Sequence, residues 1–216
     1  MGRLKKVAAG ILVVLTVMLV GFILTKDSAT VATDTDQTAD ELVIQTAKDQ
    51  KEPKNPLEKN LYPEVNKLVR QYYSDVASGN MEDLQTITDG MEERFQQEIA
   101  GNQKFVEGYR NIDVYTKLAE EEDAYIVFVY YEMKIRDIDT PVPGLGNLYV
   151  TRNPEGRYIV ANGIYDSKAQ EYVQQVASDE DVQALVSDVQ KKYREVKESD
   201  DTLRLALDDL QSAYSE

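Results

Sequence analysis

The 216-residue sequence contains no cysteine, no histidine and no tryptophan. The absence of cysteine excludes disulfide bonds, thiolate chemistry and a lipid anchor attached through sulfur. The absence of histidine removes the side chain that enzymes use most often as a general base and that binds transition metals most often. We therefore expect a protein that is not an enzyme, with no catalytic residue, no cofactor and no metal site.

Charge is absent from residues 7–24, an apolar run of 18 residues that follows Arg3, Lys5 and Lys6. A helix of that length spans about 27 Å, close to the ~30 Å hydrocarbon core of a bilayer. The basic residues before the run predict that residues 1–6 lie in the cytoplasm. We therefore predict a single-pass signal-anchor in the cell membrane, with the C-terminal domain outside the cell.

Two other interpretations of this run stay open, a cleaved secretory signal and a buried core helix. A cleaved signal has a shorter apolar stretch, of about 7–15 residues, which ends at a small-residue site. Thr25-Lys26-Asp27 is poor context for cleavage, and Thr30-Val31-Ala32 is a weak candidate site. The length of the run and its basic flank favour the anchor.

Beyond residue 24 the chain carries 21 basic and 39 acidic residues, a formal charge of −18. A domain with this charge repels nucleic acid and anionic lipid head groups, so we predict no nucleic-acid partner. Residues 25–56 are polar and nearly free of large apolar side chains, which is typical of a disordered stalk. Pro53 and Pro56 end the stalk, and we predict a folded domain over residues 57–166 with a helical extension over residues 167–216.

The first part of the domain has helical periodicity. A helix is predicted from Pro63 to the stop signal Gly79, a second over residues 81–88 and a third over residues 91–109. The apolar face of the first helix consists of Leu61, Val65, Leu68, Val69, Tyr72 and Val76.

From residue 112 the period changes to two. Strands are predicted over residues 113–118, 124–136, 147–152 and 157–161, with residues 141–144 breaking the sheet and residues 153–156 forming a hairpin turn. The second strand is apolar on both faces in its first half and on one face in its second half, so both faces should be covered only at its start.

In the extension, Val182, Leu185, Val186, Val189, Tyr193 and Val196 form one helical stripe, and Leu203, Leu207, Leu210 and Tyr214 form another. Such stripes pack on their own domain or on a partner, including a second copy. Ser178 and Asp181 have the spacing of a capping box at the start of the first of these helices.

Several short motifs lie in the predicted domain: Arg70-Gln71-Tyr72-Tyr73, Gly79-Asn80, residues 124–132, Pro143-Gly144-Leu145 and Leu148-Tyr149-Val150. With the order of three helices before a sheet, they make residues 60–164 similar to the nuclear-transport-factor-2-like, cystatin-like α+β superfamily. The similarity is to extracytoplasmic members from Gram-positive bacteria. It implies an α+β fold in which a curved, mostly antiparallel sheet wraps around helices and leaves a cone-shaped pocket. In this superfamily the pocket serves enzymes or acts as a docking surface, so the fold does not decide the function.

Four features of the sequence have alternative chemical interpretations. Enzymes of that superfamily use a pocket Asp with a Tyr donor, and Asp113, Asp137 and Asp139 are the strand-end candidates, although such residues more often form turns. Residues 144–147 (Gly-Leu-Gly-Asn) lack the helix and lysine of a phosphate loop and are interpreted as a structural turn. Residues 34–36 and 179–181 are acidic but lack the ligand spacing of a calcium loop, and are interpreted as stalk and helix cap.

Five tyrosines fall on predicted strands and are the candidate pocket or interaction residues: Tyr125, Tyr130, Tyr131, Tyr149 and Tyr158. Aromatic rings on a concave face offer large contact area at small entropic cost, although core packing is the alternative.

We therefore predict a non-catalytic binding module, tethered to the membrane through residues 7–24, that binds a protein partner, associates with itself or accepts a small molecule. Two alternatives stay open. One is an assembly or scaffold subunit of a conjugation or secretion machine, and the other is an isomerase-like enzyme that uses a pocket Asp and a Tyr.

Overall fold

The computed structural model describes residues 54–91, 93–161 and 167–214. The predicted cytoplasmic segment 1–6, the predicted anchor 7–24 and most of the predicted stalk lie outside these residues. Within them, none of the helices combines the length and the apolar run that a membrane crossing needs. The fold of the described part is α+β, with six helices and one five-stranded antiparallel sheet.

Helix α1 (Pro63–Ser78) and helix α2 (Met81–Ile87) form where the sequence predicts them. Pro63 lies in the first turn of α1, where a missing N–H leaves no hydrogen bond unmade. Gly79 ends α1 in the left-handed conformation, with φ of 69°. Asn80 begins α2, because its side chain accepts a hydrogen bond from the backbone N–H of Asp83.

Helix α3 (Glu93–Asn102) is shorter than the helix predicted over residues 91–109. The chain is already extended at Val106, which lies opposite Ile135 in the sheet. From Val106 onward, hydrogen bonds to the neighbouring strand of residues 125–135 replace those of a helix. Gly108 has low helix propensity, so little helix stability is lost by this extended conformation. The prediction was therefore wrong for residues 103–109.

The strands follow one another across the sheet in chain order. They are β1 (Glu58–Lys59), β2 (Val106–Leu118), β3 (Tyr125–Ile135), β4 (Val142–Arg152) and β5 (Tyr158–Ala161). Val129 of the central strand lies between Val114 of β2 and Gly146 of β4. The predicted hairpin turn at residues 153–156 joins β4 to β5, with Gly156 at φ of 78°.

The predicted break at residues 141–144 is wrong, because β4 begins at Val142. Pro143 lies opposite Glu132 and Gly144 lies opposite Tyr131. On its other side β4 pairs with β5 only from Tyr149 onward. In the described part of the chain the first half of β4 is therefore an edge, where a proline without an N–H is tolerated.

Strand β3 separates two apolar cores, as its alternating pattern predicts. Val127 and Tyr131 point to the face covered by α1, which we call the first face, and Ile126 and Phe128 point to the opposite, second face. Glu132 and Lys134 are only partly buried, which confirms that the second half of the strand is closely covered on one face alone.

The C-terminal extension consists of α4 (Ser167–Ala177), α5 (Glu180–Ser199) and α6 (Asp201–Tyr214). Val176 of α4 and Val182 and Val189 of α5 pack against Ile126 and Phe128 on the second face. Leu203 and Leu207 of α6 instead join the apolar cluster of the first face. The apolar stripe of α5 therefore packs on its own domain, which is one of the two alternatives that the sequence leaves open.

Candidate functional site

The five predicted tyrosines do not form one surface. Tyr125, Tyr131 and Tyr158 belong to the first face, whereas Tyr130 and Tyr149 pack with α4 and α5 on the second. Alternation along a strand separates neighbouring residues such as Tyr130 and Tyr131 by the full thickness of the sheet. Of the five, only Tyr131 takes part in the larger aromatic group described next.

That group, which we call the tyrosine cluster, consists of Tyr72, Tyr73, Tyr109 and Tyr131. The Tyr73 ring centroid lies 5.1 Å from that of Tyr109 and 5.2 Å from that of Tyr131. The Tyr109 and Tyr131 centroids are 5.1 Å apart, and those of Tyr72 and Tyr73 are 5.7 Å apart. Three of these four pairs are edge-to-face, which is the favourable arrangement of ring quadrupoles. Helix α1 and strands β2 and β3 each contribute to the cluster.

Two glycines of β4 make room for the cluster. A Cβ atom at Gly144 would overlap the Tyr131 ring, and one at Gly146 would overlap the Tyr73 hydroxyl oxygen. Residues 144–147 are therefore neither a phosphate loop nor the structural turn that the sequence predicts. They lie within β4, where the absence of side chains at Gly144 and Gly146 lets Tyr131 and Tyr73 lie against the backbone.

A pocket of about 120 Å³ opens beside the tyrosine cluster. Helix α1, helix α3 and strands β2 to β4 form its wall, which is mostly apolar. A cavity of about 150 Å³ in another protein accommodates benzene, so this smaller pocket accepts at most a single ring or an apolar group of that size. Its described lining residues are Tyr72, Tyr73, Val76, Phe95, Glu98, Ile99, Asn102, Tyr109, Tyr131, Gly146, Asn147 and Leu148.

The polar groups of this wall are few. Asn102, which is 5% exposed, lines the pocket, and its Oδ1 has no hydrogen-bond partner among the described residues. Burial raises the pKa of Tyr72, Tyr73, Tyr109 and Tyr131 well above the usual value of about 10. The four hydroxyls are therefore neutral at physiological pH and can form hydrogen bonds.

A second pocket of about 250 Å³ adjoins the first at Tyr72, Asn147 and Leu148. It lies where β5 ends, and Thr88, Tyr149, Val160, Ala161 and Val173 complete its described lining. The predicted residue Tyr149 thus lines this second pocket, whereas Tyr131 lines the first. Burial raises the pKa of Tyr149 to about 12.

Two of the three strand-end aspartates lie beside lysines, and the third lies in a turn. Asp113 Oδ2 lies 2.8 Å from Lys59 Nζ, and its other oxygen accepts a hydrogen bond from the Asn60 amide. Asp139 is fully exposed near Lys134, and Asp137 has a positive φ of 62° in the turn that follows β3. None of the described lining residues of either pocket is an aspartate.

The acidic residues near position 180 bind a lysine, in an arrangement that we call the Lys117 clamp. Lys117 is 1% exposed, and its Nζ lies 2.7 Å from Asp179 Oδ2 and 2.7 Å from Asp181 Oδ1. The other oxygen of Asp181 accepts a hydrogen bond from the backbone N–H of Leu57 at 2.9 Å. Partial burial would raise the pKa of Asp181, but the hydrogen bonds from Lys117 and Leu57 lower it below its usual value.

The predicted capping box of Ser178 and Asp181 is wrong, because both side chains have other partners. Asp181 is occupied by Lys117 and Leu57, and the hydroxyl of Ser178 donates to the backbone oxygen of Gln174. Within residues 54–91, 93–161 and 167–214, no three acidic side chains group as metal ligands would. The acidic residues 34–36 lie outside the described residues.

Sequence reasoning missed three members of the tyrosine cluster and Asn102. Tyr72 and Tyr73 were visible as adjacent rings near the end of an amphipathic helix, and Tyr109 was hidden because residues 103–109 were assigned to a helix. No local pattern identifies Asn102, which becomes part of a wall only because the fold brings α3 and β4 to the same pocket.

Comparison with protein-family models, with curated proteins and with solved structures found no match to this chain. The similarity to the nuclear-transport-factor-2-like superfamily therefore stays a prediction.

Proposed function

We propose that this chain is a membrane-tethered, non-catalytic binding module. In this proposal residues 7–24 anchor it, residues 25–56 form the tether, and the folded domain binds its ligand or partner outside the cell. The pocket beside the tyrosine cluster is the binding site, and this pocket is the observation that carries the proposal.

The construction of the pocket supports binding. Three separate elements bring their rings together, and Gly144 and Gly146 remove the side chains that would overlap two of those rings. Ligand sites are typically concave, mostly apolar and lined by aromatic residues with a few polar groups, and this wall has that composition. The neutral tyrosine hydroxyls favour recognition over acid–base chemistry.

Contacts at the start of the domain support the tether. Asn55 exchanges two hydrogen bonds of 2.9 Å with the backbone of Leu118, and Leu57 donates to Asp181. The chain is therefore attached to the folded domain from residue 55 onward, so the tether ends just before this residue and not at residue 56. A flexible tether of about thirty residues would keep the pocket close to the membrane and raise its effective concentration for a partner there.

The binding role is tested by ligand-observed NMR on the full chain in lipid nanodiscs, with a mixture of single-ring fragments as the probe. Saturation transfer to some fragments is expected, and Gly146→Ala should reduce it at least tenfold because the new methyl group forces Tyr73 to move. Gly108→Ala is the matched control, since a Cβ there meets nothing within 4 Å. Equal binding of the fragments to Gly146→Ala and Gly108→Ala would overturn the proposed site. So would a parent chain to which no fragment binds.

The tether is tested by cell fractionation and protease accessibility. The full chain should remain in the membrane fraction and be digested from outside, and deletion of residues 7–24 should release the domain. A full chain that stays soluble or is protected from external protease would contradict the anchor and its orientation.

A further inference from the structure

We propose that residues 55–60, which we call the strap, act as a latch: when the strap detaches from β2, it releases helices α4 and α5 from the second face. The latch rests on the proposed function for its input, because the strap is the part of the domain that the membrane tether joins. Its basis is the set of contacts that the strap makes, the burial of Lys117 beside it and the hydrogen bond that joins it to α5.

The strap is held along the edge of β2 by a small number of hydrogen bonds. At its start, the side chain of Asn55 exchanges two hydrogen bonds of 2.9 Å with the backbone of Leu118. At its end, the backbone N–H of Asn60 donates to the Val114 oxygen at 2.7 Å, and the Asn60 side chain accepts from the Val114 N–H at 3.0 Å. Between the two ends, β1 pairs with β2 over two residues only. A segment with so few bonds at a sheet edge opens at a lower free energy than the centre of the sheet.

The strap contacts both neighbours of Lys117 in β2. Asn55 binds Leu118, and Glu58 lies opposite Thr116, whose hydroxyl donates to the Glu58 backbone oxygen at 3.2 Å. Lys117 itself is 1% exposed, and its ammonium group contacts the two carboxylates of the Lys117 clamp. The attraction between these charges depends on the exclusion of water, because it weakens as the effective dielectric constant rises. Detachment of the strap on both sides of Lys117 would admit water to the clamp.

The strap is also joined directly to the C-terminal extension. The backbone N–H of Leu57 donates to Asp181 Oδ2 at 2.9 Å, while Oδ1 of the same carboxylate lies 2.7 Å from Lys117 Nζ. The Leu57 side chain packs against the apolar cluster of the second face, which includes Val176 of α4 and Val182 of α5. One carboxylate therefore links the strap, β2 and the start of α5. Loss of the strap removes a hydrogen bond from the group that also neutralises the buried lysine.

The tether supplies the input to this latch. The chain joins β2 at Asn55, so a displacement that enters through the tether acts on the strap before it reaches the rest of the domain. Release of α4 and α5 would then uncover Ile126 and Phe128 on the second face. Because coupling between two sites is reciprocal in free energy, docked α4 and α5 also hold the strap in place.

Hydrogen–deuterium exchange on the full chain in nanodiscs tests the coupling, with Asn60→Gly as the variant. Asn60 has a φ of 53°, which glycine accepts, and the substitution removes the side-chain hydrogen bonds to Val114 and Asp113. In the described part of the chain, the hydrogen bonds of Asn60 go to α1 and β2 and not to α4 or α5.

Exchange in Asn60→Gly should rise about tenfold at Leu57, the ratio expected from the loss of one to two net hydrogen bonds. It should rise by a similar factor in α4 and the first turns of α5, and it should not change in β3. Faster exchange of the strap alone would overturn the latch. An equal rise in β3 would also overturn it, because the whole domain would then be destabilised.

Asn111→Gly is the matched control. Asn111 is likewise an asparagine in the left-handed conformation, with a φ of 49°, and its side chain donates to Glu132 Oε2 on β3 at 2.7 Å. This variant should leave exchange in the strap, α4 and α5 unchanged. A rise there equal to that of Asn60→Gly would contradict a specific role of the strap.

Acetylation of lysines by sulfo-N-hydroxysuccinimide acetate gives a second readout. Lys117 is 1% exposed, whereas the side chain of Lys191 on α5 is 70% exposed and serves as the internal reference. The ratio of Lys117 to Lys191 modification, measured by mass spectrometry, should rise about tenfold in Asn60→Gly and stay at the parent value in Asn111→Gly. A ratio that does not rise would contradict the opening of the clamp. If Asn60→Gly does not fold, Thr116→Val, which removes the hydroxyl that donates to Glu58, takes its place with the same expected direction.

The tether and the latch fail in different ways. If the full chain is membrane-bound and neither exchange nor acetylation shows coupling, the tether stands and only the latch is wrong. If coupling is found in a chain that fractionation shows to be soluble, the latch has no input, and the proposed tether and the latch are both overturned.

Discussion

The two faces of the sheet differ where β3 meets its neighbours, although valines and tyrosines occur on both faces. On the first face, Tyr131 of β3 meets other tyrosine rings beside a pocket. On the second face, Ile126 and Phe128 of β3 meet the valines of α4 and α5. The pocket lies beside the tyrosine rings, whereas Val182 and Val189 of α5 are 0% and 1% exposed in the packing of the second face.

This difference separates two tasks. The second face attaches α4 and α5 to the sheet, and the Lys117 clamp attaches the start of the domain to the start of α5. The first face is thereby free to carry polar atoms and unfilled space, which are costly in a core but useful in a binding site. Three predictions test the comparison, from the largest expected effect to the smallest.

Alkaline pH should destabilise the domain mainly through the first face. The pKa of Tyr73 and Tyr131 is raised in the folded state, so their neutral form is favoured there and the unfolded chain ionises first. Their contribution to stability is complete below pH 10 and is lost as the pH rises above it. Each should withdraw about 1.4 kcal/mol per pH unit, or about 3 kcal/mol per unit for both, from the free energy of unfolding.

Urea unfolding between pH 10 and 13, followed by circular dichroism, measures this slope. The double variant Tyr73→Phe/Tyr131→Phe should reduce the slope by about 3 kcal/mol per pH unit over the whole range, and the slope that remains comes from other tyrosines whose pKa is raised, Tyr72 and Tyr109 among them. Tyr130→Phe/Tyr149→Phe should reduce the slope only below pH 12, because the folded-state pKa of those two groups is about 12 and above it they are ionised in both states. Equal effects of the two double variants above pH 12 would contradict the contrast between the faces.

Removal of the two acids of the Lys117 clamp should destabilise the domain more than removal of the lysine. Asp179→Asn/Asp181→Asn leaves the ammonium of Lys117 buried without a counter-charge, at an expected cost of about 3–5 kcal/mol. Lys117→Met leaves two carboxylates whose side chains are 41% and 29% exposed, and it should cost less than about 2 kcal/mol.

Chemical denaturation of the parent chain, Asp179→Asn/Asp181→Asn and Lys117→Met at pH 7 gives the free energy of unfolding of each. The triple variant Lys117→Met/Asp179→Asn/Asp181→Asn should recover most of the stability that the double variant loses. If Lys117→Met is as damaging as the double variant, desolvation of the lysine does not dominate the energetics of the clamp.

Truncation of a valine should cost more on the second face than beside the pocket. Val182 is 0% exposed and closely packed, so Val182→Ala removes transfer free energy and creates a cavity, about 2–3 kcal/mol in total. Val76 is 9% exposed and already borders the pocket, so Val76→Ala should cost about 1 kcal/mol. Thermal or urea unfolding of the two matched variants measures the difference, and similar losses would show that the pocket does not relieve packing at Val76.

Some elements of the fold were predictable because their signals are local. The apolar spacing from Val65 to Val76 and the stop at Gly79 predict α1, and the alternation of residues 124–136 predicts both faces of β3. The start of β4 was not predictable from its own residues. Pro143 and Gly144 are typical of a break, and they are accommodated in a strand only because β5 is too short to cover that edge and Tyr131 occupies the space above Gly144.

By itself, the sequence determined the type of most elements and the chemical classes that the chain lacks, because helix and strand periodicities and residue composition are properties of neighbouring residues. Only the tertiary structure decided that Tyr73 of a helix meets Tyr109 and Tyr131 of two strands. It also decided that Lys117 binds an aspartate 62 residues away. Such contacts depend on strand register and on how helices pack across a sheet, which no pattern within a short segment of the chain contains.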